Sequence, residues 1–220
     1  MDLKPTERLD DLQFNNLYII QDVNGYHFTS DAVALANYVK PKVNAHIVEL
    51  CSGSGVIGIL INAKNKVSKI KMVEIQSNLA DMCRRSLEYN GIDNIEVINS
   101  PLQGVHKQIG TTFDVVVCNP PYKESGTTDK ICENAEIAIA KHEILVNLEE
   151  IIVEASKLLK FGGEFYMVNK EERLVDMLTL LRKYNLEPKE LSILSGKSSA
   201  NRVMIKSKKG GKSGIKITLN

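Results

Sequence analysis

Asn119, Pro120, Pro121 and Tyr122 follow one another directly after the apolar run at residues 113–118. Proline donates no main-chain hydrogen bond and fixes φ at about −65°, so a strand that ends there holds Asn119 and Tyr122 rigidly at its carboxyl end. The chemistry open to such a set is activation of an amino group whose lone pair is delocalised into a base or an amide. If the Asn119 side-chain carbonyl and the Pro120 main-chain carbonyl accept its two N–H bonds, the lone pair turns outward and the charge developing on nitrogen is stabilised. Pro121 and Tyr122 would line the same mouth, the tyrosine offering a planar substrate a stacking surface, a contact of about 1–3 kcal/mol per base. This arrangement calls for neither a metal nor a covalent intermediate. The alternative is a rigid turn carrying a packed tyrosine.

A second candidate site is Ile47-Val48-Glu49-Leu50-Cys51-Ser52-Gly53-Ser54-Gly55-Val56-Ile57-Gly58. An apolar run passes into a glycine and serine turn and then into a helical pattern, and missing Cβ atoms let a ligand approach the backbone at the strand's carboxyl end. The spacing of Gly53, Gly55 and Gly58 equally suits tight strand-to-helix packing, so the ligand must be read from the neighbours. Glu49 precedes the glycines, where a carboxylate serves an ammonium group rather than a pyrophosphate. Glu74 closes the next apolar run, 21 residues after Gly53, where a carboxylate can accept from both hydroxyls of a ribose. The two acids together fit S-adenosyl-L-methionine better than a nicotinamide dinucleotide. That cofactor is expected, leaving as S-adenosyl-L-homocysteine, with Cys51 and Ile75 beside it.

These residues need a frame that brings several strand ends to one edge. Short apolar runs at 46–50, 70–75, 95–99, 113–118, 164–168, 190–194 and 202–206 alternate with amphipathic stretches at 31–39, 56–63, 78–89, 148–160 and 172–184. The pattern predicts an α/β fold, a doubly wound, seven-stranded, mostly parallel sheet with helices on both faces. Asn90-Gly91 and Phe161-Gly162-Gly163 read as helix stops. The expected organisation is an N-terminal extension over 1–28, a catalytic domain over 29–207 and a basic Gly/Lys-rich tail over 208–220. That tail is flexible by composition, although 215–219 alternates as an edge strand would. Residues 123–141 read either as a lid or as a passive surface loop.

The chain has 220 residues, 43% hydrophobic and 25% charged, an ordinary globular composition that excludes a disordered chain or a fibrous repeat. Charged residues interrupt every apolar run well short of the roughly 18 residues a membrane span needs. The first ten residues carry no apolar signal core, so a cytoplasmic location is expected. Cys51, Cys83, Cys118 and Cys132 show no CxxC spacing, which supports neither zinc ligation nor redox pairing; they are expected to be reduced and mostly core. The net charge of +1 conceals a division. The last acid is Glu190, and Lys197, Arg202, Lys206, Lys208, Lys209, Lys212 and Lys216 follow it, leaving 21 basic against 27 acidic side chains before them. A basic end on an acidic body is a footprint for phosphate-bearing partners or a solubilising tail.

With these motifs in place, the sequence resembles the class I S-adenosylmethionine-dependent methyltransferases of the amino-methylating NPPY group. Within it, the chain is similar to the bacterial family that methylates N6 of adenine 37 in a valine tRNA. The broad resemblance rests on Glu49–Gly55, Glu74 and Asn119–Tyr122. The narrower one rests on Leu9-Asp10-Asp11-Leu12, Ile19-Ile20-Gln21, the stretch from Tyr26 to Ala36, Lys141-His142-Glu143 and Gly210-Gly211-Lys212. It implies that Asn119, Pro120 and Tyr122 are catalytic, and that Gln21, Phe28, Thr29 and Asp31 frame the cofactor from the N-terminal side. It also implies that Lys123 and the residues after it shape the substrate mouth, and that Lys206, Lys208, Lys209 and Lys212 meet tRNA. Families of this fold place an acid after the third strand to receive the cofactor's adenine; here Asn99 and Ser100 stand there. Release-factor glutamine methylation uses the same four residues but normally adds a helical N-terminal domain, whereas only 45 residues precede the first expected strand. A non-catalytic, cofactor-dependent RNA-binding module is the reading from a different class.

Overall fold

The computed structural model describes residues 2–25, 27–121, 146–194 and 202–219. Two strands come first, β1 (Glu7–Asp11) and β2 (Tyr18–Asp22), paired antiparallel as a hairpin. There follow α1 (Ser30–Tyr38), β3 (His46–Leu50), α2 (Val56–Lys64), β4 (Lys69–Glu74), α3 (Ser77–Tyr89), β5 (Ile95–Asn99), α4 (Val105–Ile109) and β6 (Phe113–Cys118). The second half runs α5 (Leu148–Leu158), β7 (Leu159–Lys170), a short 3₁₀ turn, α6 (Leu174–Lys183), β8 (Leu186–Leu194), β9 (Arg202–Lys209) and β10 (Lys216–Leu219).

The main sheet has the order β10-β8-β9-β7-β6-β3-β4-β5. β9 runs antiparallel to both its neighbours, and the other pairings are parallel. The seven expected strands are all present, and β10 adds an eighth by pairing with β8 in register Lys216↔Glu190 to Leu219↔Ile193. The hairpin was not anticipated, because Glu7–Asp11 reads as charged and β1 is not an apolar run. Its second strand docks on α3 through side chains rather than through a sheet. Ser86 Oγ accepts the Ile20 N–H at 2.9 Å, and Asn90 binds the Tyr18 N–H and carbonyl at 3.0 and 2.6 Å.

Central strands buried on both faces read as continuous apolar runs. Ile47, Ile70, Met72, Val115, Val117 and Tyr166 pack on one face with α1 and α2, and Val48, Leu50, Val73, Val116, Phe165 and Met167 on the other with α5 and α6. Asn147 caps α5 with a reciprocal capping box to Glu150, which fixes where that helix starts. It ends at Leu158, not at the glycines: Phe161, Gly162 and Gly163 belong to the long strand β7. Nor is the basic end free. The Gly210 N–H bonds the Asn185 carbonyl, and Lys189 Nζ binds the Lys212 and Gly214 carbonyls at 2.9 and 2.7 Å. Lys-Gly composition suggested flexibility, but β9 runs to Lys209 and the turn after it is tied. Among the described residues, no helix is long and apolar enough to cross a membrane.

Candidate active site

The order β6-β3-β4-β5 places four strand ends side by side. β3, β4 and β5 step outward in sequence, and β6 returns to the other side of β3, so the order reverses between β3 and β6. Open α/β sheets hold ligands at such a reversal, outside the carboxyl ends of the strands. A cavity enclosing about 670 Å³, its open mouth included, lies there. Cys51, Gly53, Glu74, Ile75, Ser100, Asn119 and Pro121 line it, seven of the residues expected from sequence.

The wall is held by hydrogen bonds between strand ends. Glu74, buried at the end of β4, accepts the Gly53 N–H at 2.8 Å on Oε2 and the Gln76 N–H at 2.9 Å on Oε1. Each carboxylate oxygen has a second lone pair, so a carboxylate can take these amides and a ligand hydroxyl together. Gly53 has φ +55°, a left-handed conformation that glycine adopts without steric cost. Cys51 shares that region at φ +56°, which strains a residue with a Cβ. Its thiol meets that of Cys118 from the next strand, and burial together with this hydrogen bond holds the Cys118 thiol far above its usual range. Two cysteines 67 positions apart are thus neighbours, a pairing no CxxC search would find; Cys83 is buried as expected.

Several expected contacts take other roles. Glu49 does not line the cavity. It is 1% exposed, Oε2 accepts the Gly58 N–H at 2.8 Å under α2, and Oε1 has no partner among the described residues. Burial pushes its carboxyl up to about 8, against the Gly58 amide and with the help of Glu74, so it is mostly a neutral acid at pH 7. Gly55 packs rather than binds: a Cβ there would lie 2.5 Å from Cys83 Sγ and 3.2 Å from Met72 Sδ. Asn99 Nδ2 donates to the Glu74 and Ile75 carbonyls at 2.8 and 3.0 Å. It therefore staples β5 to the turn after β4 and leaves Ser100 on the wall.

On the N-terminal side, Gln21, Phe28, Thr29 and Asp31 lie outside the lining. With its amide oriented to satisfy both neighbours, Gln21 donates to Asp10 Oδ2 at 2.7 Å and accepts the Phe28 N–H at 3.2 Å. Phe28 packs on the core, and Thr29 stands at the N-cap position of α1 without a side-chain capping bond. Asp31 pairs with Arg202 at 3.0 Å, joining α1 to the start of β9. Gln76, Leu79, Leu102, Gln103 and Val146 also line the cavity. Sequence reasoning passed over them because they come from turns and a helix start that carry no motif.

The C-terminal lysines do not converge on this mouth. β9 is antiparallel, so its register Arg202↔Lys170 to Lys208↔Glu164 puts its later residues toward the amino edge of the sheet. Lys206 lies between Glu164 and Glu190 at 3.2 and 3.3 Å, and Lys209 Nζ donates to the Ser156 and Leu159 carbonyls at 2.5 and 2.8 Å. Both are committed to the protein, Lys209 at the end of α5, where a cation also favours the helix dipole. Lys208 and Lys212 are exposed. Tyr122, Lys123 and Lys141-His142-Glu143 lie outside the described residues.

Comparison with known proteins agrees with this geometry. The chain is 25% identical over 189 residues to a tRNA1(Val) (adenine(37)-N6)-methyltransferase of Shewanella frigidimarina, covering 83% of this chain and 74% of the relative. A release factor glutamine methyltransferase of Bifidobacterium longum is 31% identical over 146 residues, 59% of this chain and 50% of that one. Among solved structures, M. jannaschii TYW2 in complex with AdoMet superposes with a TM-score of 0.66 at 13% identity, covering 94% of this chain and 88% of that one. A precorrin-6y C5,15-methyltransferase from Geobacter metallireducens gives 0.61 at 12% identity, covering 87% and 94%. These likenesses establish a Rossmann-like class I methyltransferase fold. The model of the methyltransferase small domain matches residues 29–185, and with that match the chain belongs to the methyltransferase small domain family.

Proposed function

We propose that this protein is an S-adenosylmethionine-dependent methyltransferase acting on the N6 amine of an adenine in tRNA, most specifically adenine 37 of a valine tRNA. The observation that carries the reading is that Asn119 and Pro121 share one cavity with Glu74 and Gly53. An amine-activating turn and an adenosine-type wall therefore face the same space. The residues fit the cofactor's adenosine half: Glu74 would accept from the ribose hydroxyls, Ile75 and Leu79 would cover the base, and Ser100 or Gln103 would meet its edge. S-adenosylmethionine, when bound, supplies an electrophilic methyl group. Asn119 Oδ1 and the Pro120 carbonyl would accept the two N–H bonds of the target amine, hold its lone pair out of the ring plane and stabilise charge on nitrogen. The proton then passes to water, which requires no dedicated base.

Relatives named for tRNA adenine methylation align with 83–84% of this chain where they align best, against 59% for the one named for release factors. That favours the nucleic-acid reading. The target base has to leave its stack to reach the cavity, at a cost of a few kcal/mol. The test is transfer of an isotope-labelled methyl group to tRNA from a strain lacking the gene, followed by mass spectrometry of nucleosides. Label in N6-methyladenosine at position 37 of valine tRNA is expected. Label on another nucleoside, or on a glutamine amide of a release factor and not on RNA, overturns the assignment.

A further inference from the structure

The most exposed aromatic among the described residues, Phe161, lies far from the cavity. Phe161 is 79% exposed in the first part of β7, where a side chain that only packs would be covered. Its ring rests on the backbone of Gly210: a Cβ on that glycine, whose φ is +67°, would lie 2.7 and 2.8 Å from ring atoms Cζ and Cδ2. The glycine therefore leaves the ring a seat and leaves its outer side to solvent. The exposed Lys160 precedes Phe161 in the strand, and the exposed Lys208 and Lys212 stand two residues before and after Gly210, with the Lys208 stem 3.8 Å from the position of a Cβ on Gly162. Lys189 holds the Lys212 turn by its carbonyls. The nearby acids are engaged, Asp114 with Lys160 and Glu187 with Arg182, and Lys208 and Lys212 have no ion-pair partner among the described residues.

We infer that Phe161, Lys208 and Lys212 form a second RNA contact, in which an unpaired base stacks on the Phe161 ring while adjoining phosphates meet the two lysines. An exposed ring among cations is the combination by which proteins hold unpaired nucleotides, since every base has a face to stack and every linkage a charge. An acidic protein surface would use the lysines and have no need of the ring. The contact rests on the tRNA reading above and extends it. β6 runs six residues from Phe113, which pairs with Leu159, to Cys118 beside Asn119, so the patch and the cavity are roughly 20 Å apart at about 3.3 Å per residue. The base held here is therefore not the methylated one.

The experiment measures the KM of full-length valine tRNA for the whole chain and for Phe161→Ala, Phe161→Leu and the double variant Lys208→Gln/Lys212→Gln. S-adenosylhomocysteine affinity and melting temperature are measured in parallel. Both Phe161 variants are expected to raise KM about fivefold or more, the low end of one base–aromatic stack. The lysine pair should lower the slope of log KM against log salt by about 1.4–1.8. Cofactor affinity and melting temperature stay unchanged. Phe161→Leu separates the readings, because leucine covers Gly210 but offers no ring; wild-type KM in that variant, or an unchanged salt slope in the lysine pair, overturns the contact. A wild-type chain that methylates no tRNA defeats the parent assignment instead, so the two failures are distinguishable.

Discussion

Glu74 Oε2 accepts the Gly53 N–H at 2.8 Å, so the acid that ends β4 holds the glycine turn that ends β3. One carboxylate thereby sets the shape of the cavity wall and itself lines the cavity. Replacing it with glutamine leaves a single acceptor oxygen for the Gly53 and Gln76 amides and turns an NH₂ toward one of them. Glu74→Gln should weaken S-adenosylhomocysteine binding about tenfold or more, with a drop in melting temperature, because losing a charge-assisted acceptor costs about 1.5–3 kcal/mol. Calorimetric titration and a melting curve check both; unchanged affinity would remove Glu74 from the cofactor site.

Asn119 tests the chemistry apart from the binding. It lies just past Cys118 and faces the same cavity as Glu74. Its proposed contribution is to charge that develops only as the amine attacks, and interactions confined to the transition state lower kcat rather than raise KM. Asn119→Ala should reduce kcat about 10²–10³-fold, the effect of removing one positioned polar partner, while S-adenosylhomocysteine affinity changes less than about threefold. Full methyl transfer by this variant would remove the residue from the mechanism.

Glu49 makes a prediction about stability. Its carboxyl sits near 8 in the folded protein against 4.5 ordinarily, so the folded state holds a proton that the unfolded chain releases. Stability from this group is fully present below about pH 4.5 and is lost as pH rises toward about 8. Glutamine keeps the acceptor for the Gly58 N–H without a charge to desolvate. The melting temperature of Glu49→Gln, compared with wild type from pH 4 to pH 9, should therefore gain progressively between about pH 5 and pH 8. Parallel curves would show that Glu49 ionises freely. The adjoining position is equally constrained, since a Cβ on Gly58 would lie 2.7 Å from Glu49 Oε2.

Residues that carry their own local signal were legible in the sequence. The seven strands followed from apolar runs bounded by turn residues, and Glu74, Gly53, Asn119 and Pro121 from position at strand ends. What could not be read was direction and partner. Nothing in Val-Glu-Leu tells that Glu49 faces α2 rather than the cavity, since a strand side chain's face depends on register across the sheet. The basic end read as one patch until antiparallel pairing with β7 split it, turning Lys206 toward Glu164 and Glu190 and Lys209 onto the end of α5. The contact of Cys51 with Cys118 likewise exists only because β6 returns beside β3. The hairpin was missed because β1 is largely charged and because Ser86 and Asn90 hold β2 by its backbone, contacts that leave no pattern in the sequence.

That hairpin yields the last prediction. Arg85 on α3 forms a two-pronged pair with Glu7 on β1, Nη1 to Oε2 at 2.8 Å and Nη2 to Oε1 at 2.5 Å, and also bonds Asp81. The Glu7 side chain is only 3% exposed, and the Arg85 guanidinium holds its carboxyl below the usual range. Removing the arginine leaves a shielded carboxylate with only the Lys4 main-chain N–H at 2.8 Å and the exposed Lys4 ammonium at 3.7 Å, whereas removing both partners removes the penalty with the pair. Arg85→Met should cost about 2 kcal/mol or more, Glu7→Gln less, and the double variant less than the sum of the two, so that denaturant midpoints of the four proteins close a cycle with a coupling above about 0.5 kcal/mol. Because β2 also carries Gln21, which receives the Phe28 N–H, loosening the hairpin should reach the entry to α1. Limited proteolysis of Arg85→Met should then cut first within residues 11–29. Additive midpoints with an unchanged cleavage pattern would mean that Ile20, buried between the hairpin and Leu79 and Met82 of α3, holds the hairpin without help from the ion pair.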